Sequence, residues 1–296
     1  MTLEETLHGW TGPSSASEQE MQERTERMVR EAVGAHPGFK DCDLRVYTKG
    51  SYPNNTNVVT DSDVDVAVQC QNLTYWGEHT PGAHPASSSY EGVWTPEKLR
   101  SELVTALKAK FPSQVDTSGS TAIRVNSSSA RVEADVVPCF NYRYYFSATS
   151  WREGASTFRT TGKSLENYPD QHLENGRAKN SASKTYFKQV VRILKRTENA
   201  MLAANHHREV PSYFIECLVY NCPNAALLKS TWVETIREVI IHIWNGLDGV
   251  EPSTESGQRW LEVNECKYLF SGDQAWTRQD GRDFAKAAWN YLGYTT

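Results

Sequence analysis

The sequence predicts an α+β chain in two lobes, a mixed sheet with helices over residues 1–146 and a helical lobe over residues 147–296. Three observations predict it. Segments of period two are confined to the first half, segments of period 3.6 fill the second, and no internal repeat points to a solenoid. At 296 residues and 39% apolar side chains the chain can bury a core without disulfide or metal staples.

Ser17 followed by Glu20 predicts a capping box before a long charged helix, in which Met21, Met28, Val29, Ala32 and Val33 recur at helical spacing. Gly34 and Pro37 end it. Leu44 to Lys49 reads as a strand, followed by Gly50-Ser51 and a polar, Asn-rich loop. Asp63 to Cys70 alternates strictly, with Val64, Val66 and Val68 on one face and Asp63 and Asp65 on the other. Residues 71–93 lack periodicity and predict a long surface loop, a lid or an insertion, with His79 and His84 solvated. Thr95 and Pro96 supply the N-cap and first position of a helix carrying Leu99, Leu103, Ala106 and Leu107. Strands follow at Thr121–Val125 and Arg131–Val137, the second closed by Pro138. Beyond a polar connection at 147–180, helices are expected at 181–204, 212–222, 224–246, about 254–263 and 281–292, with a tail that frays.

A net charge of −5 argues against a protein that coats nucleic acid through a broadly basic surface. No apolar run approaches the length of a membrane-spanning helix. The first 17 residues lack the layout of a signal peptide, and the six scattered cysteines read as reduced core residues, so a cytoplasmic location is expected.

The densest chemistry lies in Gly50-Ser51-Tyr52-Pro53-Asn54-Asn55-Thr56-Asn57 and Asp61-Ser62-Asp63-Val64-Asp65-Val66. Carboxylates at i and i+2 of a strand project from one face, and Asp63 and Asp65 repel each other there unless a cation intervenes. Such a pair suits a hard divalent metal, above all Mg²⁺, which takes oxygen ligands. Asp61 reads as a turn residue. A third carboxylate would come from Arg131–Pro138, where Glu133 and Asp135 share a face. Two metals serve phosphoryl transfer, one activating the attacking hydroxyl and the other neutralising the leaving pyrophosphate. Gly50 lets backbone amides approach a phosphate, and the Ser51 hydroxyl can donate to it.

These segments resemble the nucleotidyltransferase superfamily of DNA polymerase beta, and more narrowly the cGAS/DncV-like nucleotidyltransferases of bacterial antiphage CBASS systems. GSYPNNTNVVTDSDVDVAV is similar to the Gly-Ser motif plus metal-binding pair, and VEADVVPCF to the third-carboxylate strand. The resemblance implies a two-lobed fold with the site in the cleft, Asp63, Asp65 and Asp135 as metal ligands, and Glu133 as a flanking residue. KTYFKQVVRILKR is similar to the family's basic helix. On a single helix Lys184, Lys188, Arg192 and Lys195 would form one stripe beside Phe187, Val190, Val191 and Leu194, and the match puts Lys188 on the triphosphate. VPSYFIECLVY resembles the next family segment, which implies phosphate binding by Ser212 and base stacking by Tyr213. A helix start favours an anion independently of any resemblance. Tyr168–Asn180 also resembles bacterial members, without roles for its residues. Cys217 and Cys222 lack the spacing of the animal zinc insert and read as core.

The implied function is a cyclic oligonucleotide second-messenger synthase in antiphage defence. It joins NTPs on Mg²⁺, with Mn²⁺ as a substitute, and releases pyrophosphate. The resemblance implies a downstream effector that reads the product without binding the enzyme, and room for a regulatory partner. No membrane and no obligatory nucleic acid are expected. The alternatives are a linear oligonucleotide or nucleic-acid end polymerase of the same superfamily, and a non-catalytic nucleotide-binding sensor.

Overall fold

The computed structural model describes residues 1–58, 63–85, 90–272 and 274–294; Asp61 lies outside them. The chain divides into a sheet unit, residues 15–53 and 62–169, and a helical unit, residues 1–14, 54–61 and 170–296. The expected boundary at 146 therefore moves to 169, and the first fourteen residues belong with the helices.

In the sheet unit, α2 (Ala16–Gly34) is capped by Ser15 and Glu18, two residues ahead of the expected Ser17 and Glu20. β1 (Leu44–Lys49) and a one-turn helix α3 (Ser51–Asn54) follow. β2 runs over Val64–Glu78, α4 over Pro96–Lys110, β3 over Val115–Asp116 and β4 over Ile123–Val125. β5 (Ala134–Ser147), β6 (Ser150–Phe158) and β7 (Ser164–Asn167) complete a sheet of order β1-β2-β5-β4-β3, with β6 beside the later part of β5 and β7 beside β6. Only β2 and β5 are parallel.

Three expectations change here. The surface loop begins only after residue 78, because β2 continues past a register shift between Cys70 and Thr74 that breaks its alternation. His84 is stacked on Trp76, with ring centroids 3.8 Å apart, rather than solvated. Pro138 does not close its strand. β4 pairs with β5 up to Val136 and β6 takes over from Cys139, so Pro138 falls between the two partners on that edge.

One face of the sheet carries α2 and α4. Val29, Ala32 and Val33 of α2 and Leu99, Leu103, Ala106 and Leu107 of α4 bury against Val64, Val66, Val68, Val136 and Phe140. The acidic face is the opposite one, as alternation requires. Buried Thr25 ties α2 to the approach of β5, donating to the Met21 carbonyl at 2.7 Å and accepting from Val132 N–H at 3.1 Å. Thr25→Val keeps the shape but leaves that N–H unsatisfied. A loss of about 1–3 kcal/mol is expected, read as a lower denaturant midpoint.

The helical unit contains α1 (Leu3–Gly9), α5 (Pro169–Ala182), α6 (Tyr186–Ala203), α7 (Ser212–Tyr220), α8 (Asn224–Leu227), α9 (Trp232–Gly246) and α10 (Arg278–Tyr291). Its core gathers Leu7, Phe187, Leu194, Phe214, Leu218, Ile240 and Phe284, with Cys217 and Cys222. The unforeseen α1 is fastened by Glu4, which accepts the Trp232 and Val233 amides at 2.9 and 2.8 Å and so caps α9. The helix expected at 254–263 is only a single turn at Thr254–Ser256. The expected fraying tail is tied at Tyr294, whose hydroxyl donates to the Val233 carbonyl at 2.9 Å. No described helix is long and apolar enough to cross a membrane.

Candidate active site

In the sheet unit, strand register assembles one row of charge. Lys49 of β1 is the partner of Asp65 of β2, Asp65 of Asp135 on β5, and Asp135 of Arg124 on β4. Two neighbouring carboxylates are thus flanked by a cation on each side. Lys49 Nζ lies 3.2 Å from Asp65 Oδ1, and Arg124 Nε lies 3.4 Å from Asp135 Oδ1 and 3.2 Å from Glu133 Oε1. Asp135 and Glu133 push the Arg124 guanidinium still further up in pKa. Glu133 is thus a partner of Arg124.

Asp63 is exposed immediately before β2, where the Val64 amide donates to the Glu133 carbonyl at 3.0 Å. By the period of two it shares the face of Asp65. Gly50 has φ +75°, and a Cβ there would stand 2.7 Å from Asp65 Oδ2. The glycine of the Gly-Ser turn therefore makes room for the carboxylate, a role that its motif did not disclose.

Among the described residues no three acidic, histidine or cysteine side chains converge on one point. Asp65 and Asp135 instead turn to Lys49 and Arg124, which supply the positive charge such a pair requires. Their side chains remain 41% and 26% exposed, respectively. All-oxygen donors on adjacent strand positions, open to solvent, match the chemistry of a hard divalent cation.

In the helical unit, α6 begins at Tyr186. Lys184 and Thr185 precede it with φ 50° and 71°, so Lys184 is not on the helix and the expected four-residue stripe does not exist. Arg192 is buried, donating to the Thr11 carbonyl at 2.7 Å and the Asn55 carbonyl at 2.5 Å, and Lys195 is buried too. Lys188 alone of the helical three stays half-buried. Burial lowers its pKa, and Glu216 opposes that shift. Ser212 opens α7 directly after Pro211, among the free amides of a helix start. Tyr213 is half-buried and its hydroxyl is committed, donating to Glu262 Oε2 at 3.0 Å, while its ring meets His172 edge-on at 5.2 Å.

The Asn-rich segment, expected as a loop, is a buried plug in this unit. Asn54, Thr56, Asn57 and Val58 are all essentially inaccessible. Asn54 Nδ2 lies 3.2 Å from His172 Nε2, which also lies 2.9 Å from Glu216 Oε1. Thr56 Oγ1 donates to Glu216 Oε2 at 2.8 Å, and Asn57 Nδ2 donates to Ser14 Oγ at 2.7 Å. Sequence reasoning missed His172 and Glu216. The one signal was a carboxylate in the apolar run Phe214–Val219, which demands a partner.

Burial pushes the Glu216 carboxyl up, but the His172 ring, its hydrogen bond, Lys195 and the Thr56 hydroxyl outweigh it and hold the pKa down, at about 2. A depressed value stabilises the fold above the ordinary 4.5, and that contribution is lost as pH falls from 4.5 toward 2. Glu216→Gln should lower Tm at neutral pH and flatten its acid decline, read by thermal melts between about pH 6 and 2.5.

Residues 174–293 match the family model of the cGAS/DncV-like nucleotidyltransferase C-terminal helical domain. The chain is 32% identical to a cyclic dipyrimidine nucleotide synthase CdnE of Legionella pneumophila, covering 98% of this chain and 97% of that one. It is 31% identical to a cyclic dipurine nucleotide synthase of Elizabethkingia meningoseptica, covering 98% of each. The structure of a Rhodothermus marinus CdnE c-UMP-AMP synthase with Apcpp and Upnpp superposes with a TM-score of 0.82 at 26% identity, over 99% of this chain and 98% of that one. With a paired-carboxylate sheet, a Gly-Ser turn and this helical domain, the chain belongs to the cGAS/DncV-like nucleotidyltransferase family, polymerase beta-like enzymes of mixed α+β fold.

Proposed function

We propose that this protein condenses two nucleoside triphosphates into a cyclic dinucleotide, a second messenger of antiphage defence. The observation that carries the reading is the in-register pair Asp65 and Asp135 with Gly50 packed against Asp65. A ribose hydroxyl oxygen of one nucleotide attacks the α-phosphorus of the other, and the bond to the β-phosphate breaks. Pyrophosphate leaves and the hydroxyl proton passes to solvent. A second such transfer closes the ring.

Asp63, Asp65 and Asp135 would hold the divalent cation, Mg²⁺ or Mn²⁺, releasing Lys49 and Arg124 from their carboxylates. The metal supplies activation of the hydroxyl and charge neutralisation at the phosphates. Gly50 and Ser51 receive phosphate at the turn, Lys188 and the Ser212 helix start oppose triphosphate charge, and Tyr213 offers a half-buried ring to a base. Catalysis here is alignment and electrostatics, with no covalent intermediate on the protein.

The Legionella relative is named for pyrimidines and the Elizabethkingia relative for purines at nearly equal identity. Overall identity therefore does not decide base choice for this chain. The test is incubation with all four labelled NTPs and Mg²⁺, phosphatase digestion and mass spectrometry. A phosphatase-resistant cyclic product supports the reading, and omission of single NTPs reads base choice. Linear oligomers alone would indicate a polymerase, and no product with Mg²⁺ or Mn²⁺ a binding protein.

A further inference from the structure

The best-built polar structure in the helical unit is not any residue expected to touch nucleotide but the plug around His172 and Glu216. Its members come from three segments far apart in sequence: Asn54 and Thr56, His172 of α5, and Glu216 of α7. Glu216 uses both carboxylate oxygens, one on His172 and one on Thr56. His172 Nε2 faces Asn54 and Glu216 together, and its ring supports Tyr213. Gly176, one turn along α5 from His172, lets the segment close in, since a Cβ there would stand 3.1 Å from Asn54 Oδ1.

Within this unit the network ends on Tyr213, whose ring the His172 ring meets edge-on at 5.2 Å. Packing alone does not call for such a design. A buried ionic cluster contributes little over an apolar plug of the same volume, whereas its hydrogen bonds admit one geometry. We propose that His172 and Glu216 are positioning residues: held by Asn54 and Thr56 in one geometry, they fix the ring of Tyr213 through the ring of His172. The proposal rests on the nucleotidyl-transfer reading.

The test is Thr56→Val against Thr56→Ser in the full chain, because both keep the His172–Glu216 pair and only serine keeps the donor to Glu216. Two quantities are read: KM and kcat for cyclic product with Mg²⁺, and the dissociation constants of the four non-hydrolysable α,β-methylene NTP analogues. For Thr56→Val, KM and the analogue dissociation constant should rise about tenfold, as misplacement of the Tyr213 ring requires, with Thr56→Ser returning within about twofold of wild type. A purely structural role lowers the folded fraction and so the apparent kcat, leaving KM and analogue affinity unchanged, and that result overturns the proposal. Equal behaviour of the valine and serine variants overturns it as well. If wild type makes no cyclic product but binds an analogue, the synthase reading fails while the binding arm still decides the positioning role. If wild type binds none of the four, both fail.

Discussion

Asp65→Asn is expected to reduce product formation by on the order of 10³-fold or more, while the protein stays folded. Asp65 is one of the two inner members of the charge row, with Asp135 beside it on β5 and Lys49 on β1. The amide keeps the shape and can still accept from Lys49, but it no longer contributes a negative ligand. Losing that charge removes several kcal/mol of transition-state stabilisation, which sets the size of the effect. Stability should respond differently. Asp65 is 41% exposed and its ion pair with Lys49 is largely solvent-screened, while the substitution also relieves repulsion with Asp135. Tm is therefore expected within a few degrees of wild type. A mass-spectrometric product assay beside a thermal melt checks both halves. Substantial turnover by a folded Asp65→Asn protein would remove Asp65 from the chemistry.

Gly50→Ala should lower kcat/KM by about 100-fold, a large effect for one methyl group. Two causes add. The backbone at φ +75° is strained for any L-side chain, at roughly 1–2 kcal/mol, and the new Cβ would press on Asp65 Oδ2 at 2.7 Å. The carboxylate must turn away, so the damage reaches the proposed metal-ligating face as well as the proposed phosphate turn. Gly162→Ala is the control for strain alone, since Gly162 has φ +84° with nothing within 4 Å of its Cβ. That variant should lose similar stability and keep its activity. Equal activity loss in both would show that steric pressure on Asp65 has no part in it.

Much of the candidate site was legible because its chemistry is local. Asp63-Val64-Asp65-Val66 places acid and core on opposite faces by the geometry of one strand, and Gly50-Ser51 stands directly after β1. The partners of those acids were not legible. Lys49 and Arg124 reach Asp65 and Asp135 only through pairings of β1 with β2 and β4 with β5, and a shift of one residue in register would have turned them to the other face. The basic stripe failed for a related reason. A helical wheel sets Arg192 and Lys195 beside apolar neighbours, but it cannot tell solvent from the carbonyls of Thr11 and Asn55 that hold Arg192.

The fold shows the same division. Periodicity identified α2, α4, α6, α7, α10 and the part of β2 up to Cys70, where a buried stripe repeats within one element. It missed β6 and β7, whose exposed residues blur the alternation, and the continuation of β2 beyond its register shift. It missed α1, whose anchor is the start of α9, 228 residues away. By itself, then, the sequence determined the α+β class, the acidic strand face and the family, since each depends on neighbours a few residues apart. Tertiary structure alone decided which cations face the acids, why Gly50 must be glycine, and that an Asn-rich loop is a buried plug on His172 and Glu216. Those outcomes depend on strand register and on burial between distant segments, which no local pattern encodes.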